Sequence, residues 1–275
     1  MERHEESLTG NGGVNISYQT WTPTAPARGI LVISHGLGEH ARRYDHVAER
    51  LGGLGLIVVV PDHRGHGRSG GPRAGLKRFA DYTDDLGQVF AKVHQPGLPA
   101  FLLGHSMGGT IALDFALAHQ DELTGLILSG AAIMPGEDQP KATLAIAKVL
   151  GRFLPSLPTA RLDSAGISRD PQVVAEYNAD PEVFHGKVPA GLAGGLVTVM
   201  ETFPERLPQL TIPLLVLHGG EDKMTNPAGS DLVAGRAGSA DKTLKKYPGL
   251  YHEIFNEPEK DAVLDDVAGW LEARL

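Results

Sequence analysis

Ser106 stands in Gly104-His105-Ser106-Met107-Gly108, a G-x-S-x-G pentapeptide. Phe101-Leu102-Leu103 before it reads as the end of a buried strand, and Ile111–Leu117 after it as a helix. A serine on so tight a strand-to-helix turn needs glycines at 104 and 108, where side chains would strike the neighbouring strand or helix. Its hydroxyl then projects at a helix N-terminus, where backbone N–H groups and the helix dipole favour a developing negative charge. A serine hydroxyl is a weak nucleophile at neutral pH and needs a base in hydrogen-bond reach, with a third group to orient that base. His252 follows the last strand-like stretch, Lys242–Tyr247, and Asp222 follows the one before it, Ile212–Leu217. Both stretches are expected to end at the sheet edge that carries Ser106. Glu221 competes with Asp222 as the acid. His35, His40, His63, His66 and His105 sit in loops near the same edge but follow no late strand, and His218 reads as structural.

Attack by Ser106 on a carbonyl carbon creates an oxyanion that needs two N–H donors. The strand Ile30–Ser34 runs straight into His35-Gly36-Leu37-Gly38, and glycines on both sides of Leu37 let its backbone approach a substrate oxygen. The amides of Leu37 and of Met107, the residue after the nucleophile, are the expected pair. The loop Pro61–Gly71 holds Asp62, His63 and His66 but has no period that would gather them on one face, so it reads as a tight structural loop and not as a metal site. Its arginines are expected to stiffen the wall of the site. The chemistry calls for no metal and no cofactor.

These residues need a scaffold. Gly10–Gly13 signals a hairpin turn between residues 6 and 21, with period-two alternation from Val14 to Trp21. From Ile30 onward strands alternate with helices (Tyr44–Leu54 and Asp81–His94 among them), which demands a mostly parallel central sheet flanked by helices, an α/β class. From 132 to 207 the strand rhythm stops and helical pieces divided by Pro and Gly take over. This reads as a helical cap inserted into a core of residues 1–131 and 208–275. Within it, Lys141–Leu154 carries an apolar stripe of Ile146, Val149, Leu150, Phe153 and Leu154 opposite Lys141, Lys148 and Arg152. An ordinary cap helix with a solvated charged face is the expectation; an interfacial helix that touches lipid is the alternative.

The 275 residues have a formal net charge of −8 and a pI near 5.8, which speaks against nucleic acid as a partner. With no cysteine, a disulfide framework and a thiolate site are excluded. No signal peptide or bilayer-length apolar run is legible, so a cytoplasmic protein is expected, with peripheral membrane contact through the cap left open. Composition says nothing of oligomeric state.

With these residues in hand, the chain resembles the monoacylglycerol lipases of the α/β-hydrolase fold, most of all the bacterial ones. The blocks are His35-Gly36-Leu37-Gly38-Glu39-His40, Arg43-Tyr44, Asp62–Ser69, Gly104–Gly109, Tyr177-Asn178-Ala179-Asp180-Pro181, Gly220-Glu221-Asp222 and Tyr251-His252-Glu253. The resemblance implies Ser106, Asp222 and His252 as the triad, with Asp222 preferred over Glu221, and Leu37 and Met107 as oxyanion donors. It further implies a glycerol-binding pocket near Glu39, Arg43 and Tyr177, and a monoacylglycerol as substrate. Animal members carry a second histidine three positions after the catalytic one, where this chain has Phe255. The competing expectations are a lysophospholipase, a broad-specificity carboxylesterase, and a ligand receptor with an idle triad.

Overall fold

The computed structural model describes residues 1–136 and 139–275. Eight strands form one sheet: β1 (Glu2–Thr9), β2 (Asn15–Thr22), β3 (Gly29–Ser34), β4 (Leu56–Pro61), β5 (Ala100–His105), β6 (Gly125–Ser129), β7 (Leu214–Gly219) and β8 (Lys242–Tyr247). Their order is β1-β2-β4-β3-β5-β6-β7-β8. The first hairpin and the β2–β4 pair are antiparallel, and every later pair is parallel. Residues of β3, β5, β6 and β7 are buried throughout, as parallel strands covered on both faces must be.

The helices are α1 (Asp45–Gly52), α2 (Ala80–Val93), α3 (Met107–His119), α4 (Lys141–Phe153), α5 (Pro171–Ala179), α6 (Ala190–Met200), α7 (Phe203–Arg206), α8 (Ala228–Arg236) and α9 (Lys260–Glu272). Two apolar layers sandwich the sheet. One joins Val32, Leu102 and Leu128 to Val89 of α2, Ile111 of α3 and Val233 of α8. The other joins Ile33, Phe101 and Leu215 to Val47 and Leu51 of α1 and Val263 and Leu271 of α9.

Three local expectations change. The hairpin begins at Glu2, and β2 does not alternate between core and solvent: Ser17 and Gln19 are buried along with Tyr18 and Trp21. The reason is position, because β2 lies inside the sheet, where Tyr18 enters one apolar layer and Trp21 the other. The helix expected over Tyr44–Leu54 spans only Asp45–Gly52 and is entered by a 3-10 turn at Ala41–Tyr44.

The third concerns α4. Its apolar stripe faces solvent, with Ile146 58%, Val149 57% and Phe153 70% exposed. The inward face is made of small residues: a Cβ on Gly151 would lie 2.7 Å from the Ala190 carbonyl oxygen, and one on Gly194 would lie 2.5 Å from that of Ala147. Helices α4 and α6 thus approach backbone to backbone, leaving the bulky residues outside. The stripe belongs to neither an ordinary cap helix nor the core. Among the described residues, no helix is long and apolar enough to cross a membrane.

Candidate active site

Strand β5 ends at His105, and α3 begins at Met107. Ser106 between them has φ 55° and ψ −122°, a strained conformation for a residue with a side chain. The backbone forces this turn. A Cβ on Gly108 would lie 2.1 Å from the Ser34 carbonyl oxygen, and one on Gly104 would lie 2.5 Å from that of Gly108. The Ser106 carbonyl accepts from the N–H groups of Gly109 and Ala132, both at 3.0 Å, which holds the turn.

Asp222 is in the turn after β7. That turn abuts the segment after β8: Gly220 N–H donates to Tyr247 O at 2.8 Å and Glu221 N–H to Leu250 O at 2.9 Å. His252 Nδ1 and Asp222 Oδ2 are 2.7 Å apart. An ionised carboxylate only accepts, so Nδ1 carries the proton and Nε2 is the basic nitrogen. Oδ1 of Asp222 accepts from the N–H groups of Met224 at 2.7 Å and Thr225 at 3.0 Å, and Oδ2 from the Thr225 hydroxyl at 2.8 Å. His218 Nε2 is a further donor, 3.1 Å from Oδ2. Glu221 is exposed and makes no bond to His252.

The charges follow from this arrangement. Burial works to raise the Asp222 pKa, but the bonds from His218 and His252 outweigh it and hold the carboxylate well below its usual range. Burial works to lower the pKa of His252. The Asp222 bond and charge, helped by Glu253 and Glu39, overcome that and make His252 a stronger base than a free imidazole. The His105 ring packs 4.7 Å from that of His252 and is held neutral by burial and by its neighbour's charge.

Ser106 and His252 face one cavity of about 810 Å³. The hydrogen bonds of the described residues include none between Ser106 Oγ and His252; unliganded sites commonly tighten such a contact only around substrate. The His35-Gly36-Leu37-Gly38 loop passes directly over the serine, since a Cβ on Gly36 would lie 3.1 Å from Ser106 Cβ. Leu37 and Met107 line the cavity beside Ser106. Its lining combines apolar side chains, among them Val188, Leu196, Val197 and Met200, with Glu39, Tyr177 and Glu253.

Of the residues singled out in the sequence, Ser106, Asp222, His252, Leu37, Met107, Glu39 and Tyr177 all border this cavity. Arg43 does not. Its guanidinium lies behind the wall, 2.5 Å from Glu253 Oε2 and 4.7 Å above the Tyr177 ring. The acidic neighbours Glu253 and Glu39 draw it there, against the cost of burial. Phe255 points into the apolar layer with Val47 and Leu250. The side chains of the Pro61–Gly71 loop are committed internally: Arg64 grips Asp85 with two nitrogens at 2.6 and 2.7 Å, and Asp62 accepts from the N–H groups of Ala41 and Arg68.

Two residues of the site, Thr225 and Glu253, carried no assigned role in the sequence, and His218 was read there only as structural. His218 precedes Asp222 by four positions, but only the turn between them turns its ring toward the carboxylate. Thr225 had no signal. Glu253 adjoins His252, and nothing in its neighbours says which way it faces. The structure also explains why two separated blocks occur together: His40 Nε2 lies 2.9 Å from Asp180 Oδ2, and Phe184 N–H donates to Gly38 O at 2.8 Å. The Tyr177–Pro181 segment is pinned to the loop that carries Leu37.

A family model described as serine aminopeptidase, S33, matches residues 25–259. A monoacylglycerol lipase of Mycolicibacterium smegmatis is 47% identical over 99% of this chain and 98% of its own length. The human monoglyceride lipase is 36% identical over 97% of this chain and 90% of its own. Among solved structures, a monoacylglycerol lipase of Paleococcus ferrophilus superposes with a TM-score of 0.85 at 30% identity, covering 100% of both chains. A soluble variant of the Saccharomyces cerevisiae monoglyceride lipase in complex with a substrate analogue gives 0.88 at 27% identity, covering 98% and 94%. The strand order, the elbow at Ser106 and these likenesses agree: the chain is a serine ester hydrolase of the α/β-hydrolase fold, belonging to the serine aminopeptidase S33 family and, within it, to the monoacylglycerol lipases.

Proposed function

We propose that this chain hydrolyses monoacylglycerols to fatty acid and glycerol, with Ser106 as nucleophile, His252 as base and Asp222 as its orienting acid. One observation carries the reading: a single cavity borders these three residues, the apolar side chains Val188, Leu196, Val197 and Met200, and the carboxyl groups of Glu39 and Glu253. The apolar lining suits one acyl chain, each buried CH₂ contributing about 0.8 kcal/mol. The carboxyl groups suit an uncharged alcohol with hydroxyls to donate. The bacterial and human relatives, a monoacylglycerol lipase and a monoglyceride lipase, support the same substrate class.

In the reaction, His252 Nε2 takes the Ser106 proton as Oγ bonds to the ester carbonyl carbon. The amides of Leu37 and Met107 donate to the oxyanion. As the tetrahedral centre collapses, the bond to the glycerol oxygen breaks, and that oxygen takes the proton from His252. Water then repeats the sequence on the acyl-enzyme, releasing the fatty acid and restoring the Ser106 hydroxyl. Asp222 keeps the Nδ1 proton in position throughout.

Residues 132–207 act as a lid over the strand ends, and the solvent-facing stripe of α4 rests on the lipid surface that supplies substrate. An uncovered run of Ile146, Val149, Phe153 and Leu154 is costly in water and favourable at a lipid interface.

The rival is a lysophospholipase. A phosphodiester beside Glu39 and Glu253 would set like charges together, which favours the neutral glyceride. The test compares monooleoylglycerol, dioleoylglycerol, trioleoylglycerol, lysophosphatidylcholine and p-nitrophenyl butyrate, with Ser106→Ala as blank. Monooleoylglycerol is expected to be turned over fastest. Faster turnover of lysophosphatidylcholine would overturn the assignment, and full residual activity in the blank would remove Ser106 from its role.

A further inference from the structure

The chain has five methionines and no cysteine. Met107, Met134, Met200 and Met224 all border the catalytic cavity, and the fifth is the N-terminal residue. They come from four separate places in the fold. Met107 opens α3, Met134 follows β6, Met200 closes α6, and Met224 lies in the turn after β7. The cavity therefore gathers every internal sulfur of the protein. Met107 is only 1% exposed. Met134, Met200 and Met224 are half-buried and keep surface open to solvent, as does Ser106 at the same cavity. A reagent close to water in size thus has access to their thioethers. Met224 also packs against the buried cluster of Ile167, Tyr177 and Val183, while its N–H donates to Asp222 Oδ1 at 2.7 Å.

We propose that this cavity is a reversible oxidative-modification site for hydroperoxides. Sulfoxides formed at Met134, Met200 and Met224 turn part of its apolar lining polar, and so suppress hydrolysis of long-chain esters more than of short-chain ones. The proposal rests on the reading that the apolar lining receives the acyl chain. In the step, a lone pair of the thioether sulfur attacks the terminal oxygen of the hydroperoxide. The S–O bond forms as the O–O bond breaks, so sulfur is oxidised by two electrons and the peroxide is reduced. The proton on the transferred oxygen passes to the departing oxygen, which leaves as water or an alcohol. With no thiol in the chain, the thioethers are the sulfur that such an oxidant meets, and their susceptibility follows their exposure. The product is polar where the thioether was apolar. An acyl chain laid against it displaces its water without replacing the hydrogen bonds, a penalty that grows with the length of chain along the lining.

The test treats the unmodified enzyme with hydrogen peroxide and reads kcat/KM on p-nitrophenyl laurate and p-nitrophenyl butyrate. Peptide mass spectrometry is expected to find one added oxygen each on Met134, Met200 and Met224, and none on Met107. Met1, 45% exposed and packed against Gly52, is oxidised as well. The laurate-to-butyrate ratio is expected to fall about 5- to 100-fold, the range for leaving one polar group buried without a partner. It is expected to recover on treatment with the two methionine sulfoxide reductases, one for each sulfoxide epimer. A variant with Met134→Leu, Met200→Leu and Met224→Leu keeps Met1, Met107 and nearly the same side-chain volume. Compared before and after its own peroxide treatment, its ratio is expected to stay unchanged. If that variant does not fold, the three single substitutions are compared in the same way, each expected to spare part of the ratio. A ratio that peroxide leaves unchanged in the unmodified enzyme, or that falls as far in the variants, overturns the proposal. Failure of the untreated enzyme to hydrolyse monolauroylglycerol overturns the monoacylglycerol reading alone, because the ratio is read on p-nitrophenyl esters.

Discussion

His218 Nε2 lies 3.1 Å from Asp222 Oδ2, the oxygen that His252 Nδ1 approaches to 2.7 Å. Two imidazoles therefore share one carboxylate oxygen. His218 is oriented from its far side by Ser230, whose hydroxyl is 2.7 Å from Nδ1. It is fully buried and never reaches the cavity, so its contribution is to hold the carboxylate. His218→Leu is expected to lower unfolding stability by about 1.5–3 kcal/mol, the range for a hydrogen bond to a charged group. Urea unfolding monitored by circular dichroism measures it. A loss below about 0.5 kcal/mol would mean that the backbone N–H groups of Met224 and Thr225 hold Asp222 unaided.

Asp222→Asn keeps the shape but lets the amide donate to Nδ1, moving the imidazole proton to Nε2, where a base is needed. In a Ser-His-Asp triad this costs about 10⁴ in kcat. Steady-state kinetics on p-nitrophenyl butyrate are expected to give a loss of that order. A loss under about tenfold would mean that another group orients His252.

As the proposed base, His252 must be neutral to act. Its pKa lies above the ordinary 6.5 because Asp222, Glu253 and Glu39 outweigh burial. Activity therefore rises with pH through an apparent pKa above 6.5 and is lost as pH falls below it. A profile of kcat/KM from pH 5 to 9 reads this directly. An acid limb below 6.5 would mean that burial dominates over the carboxylates.

Behind the Leu37 loop, His35, His63 and His66 are buried with rings 4.5 Å (His35–His63) and 5.5 Å (His35–His66) apart. Burial, with the His66 imidazole, pushes His63 down to about 3; burial and Arg73 push His66 down to about 4. In the unfolded chain these residues protonate near 6.5, so below that pH the unfolded state binds protons the folded state cannot. Stability falls with pH from about 6.5 until the folded-state values are reached, by about 3 kcal/mol for each of the two by pH 4. Denaturant unfolding at pH 7, 5.5 and 4.5 measures the slope. His63→Gln is expected to flatten it; equal slopes in the two proteins would sink the account.

If the stripe of α4 rests on lipid, charge placed there weakens that contact. Ile146→Glu with Phe153→Glu is expected to reduce cosedimentation with phosphatidylcholine–phosphatidylglycerol vesicles about tenfold or more, given about 1.5–3 kcal/mol for each large apolar side chain buried. Activity on vesicle-borne substrate is expected to fall relative to that on a soluble short-chain ester. Unchanged cosedimentation would detach the stripe from the membrane.

Much of this protein was legible in the sequence because the relevant physics is local. Uninterrupted apolar runs must be covered on both faces, so β3, β5 and β6 were readable as inner strands of a parallel sheet. The Ser106 elbow was readable because only glycine fits at 104 and 108. The order of Ser106, Asp222 and His252 followed from strands ending at a common edge. What escaped depended on which neighbour a side chain meets. The apolar period of Lys141–Leu154 says that one face differs from the other, not which one is inward; the close approach of α4 and α6 through Gly151 and Gly194 decided that. Arg43 was expected beside Glu39 and Tyr177, but a flexible cation goes to its strongest anion, and only the fold brought Glu253, which borders the cavity, within its reach from behind the wall. His218 and Glu253 took their places for the same reason: a turn's direction sets where a side chain points, and that direction is decided by packing between segments far apart in the chain.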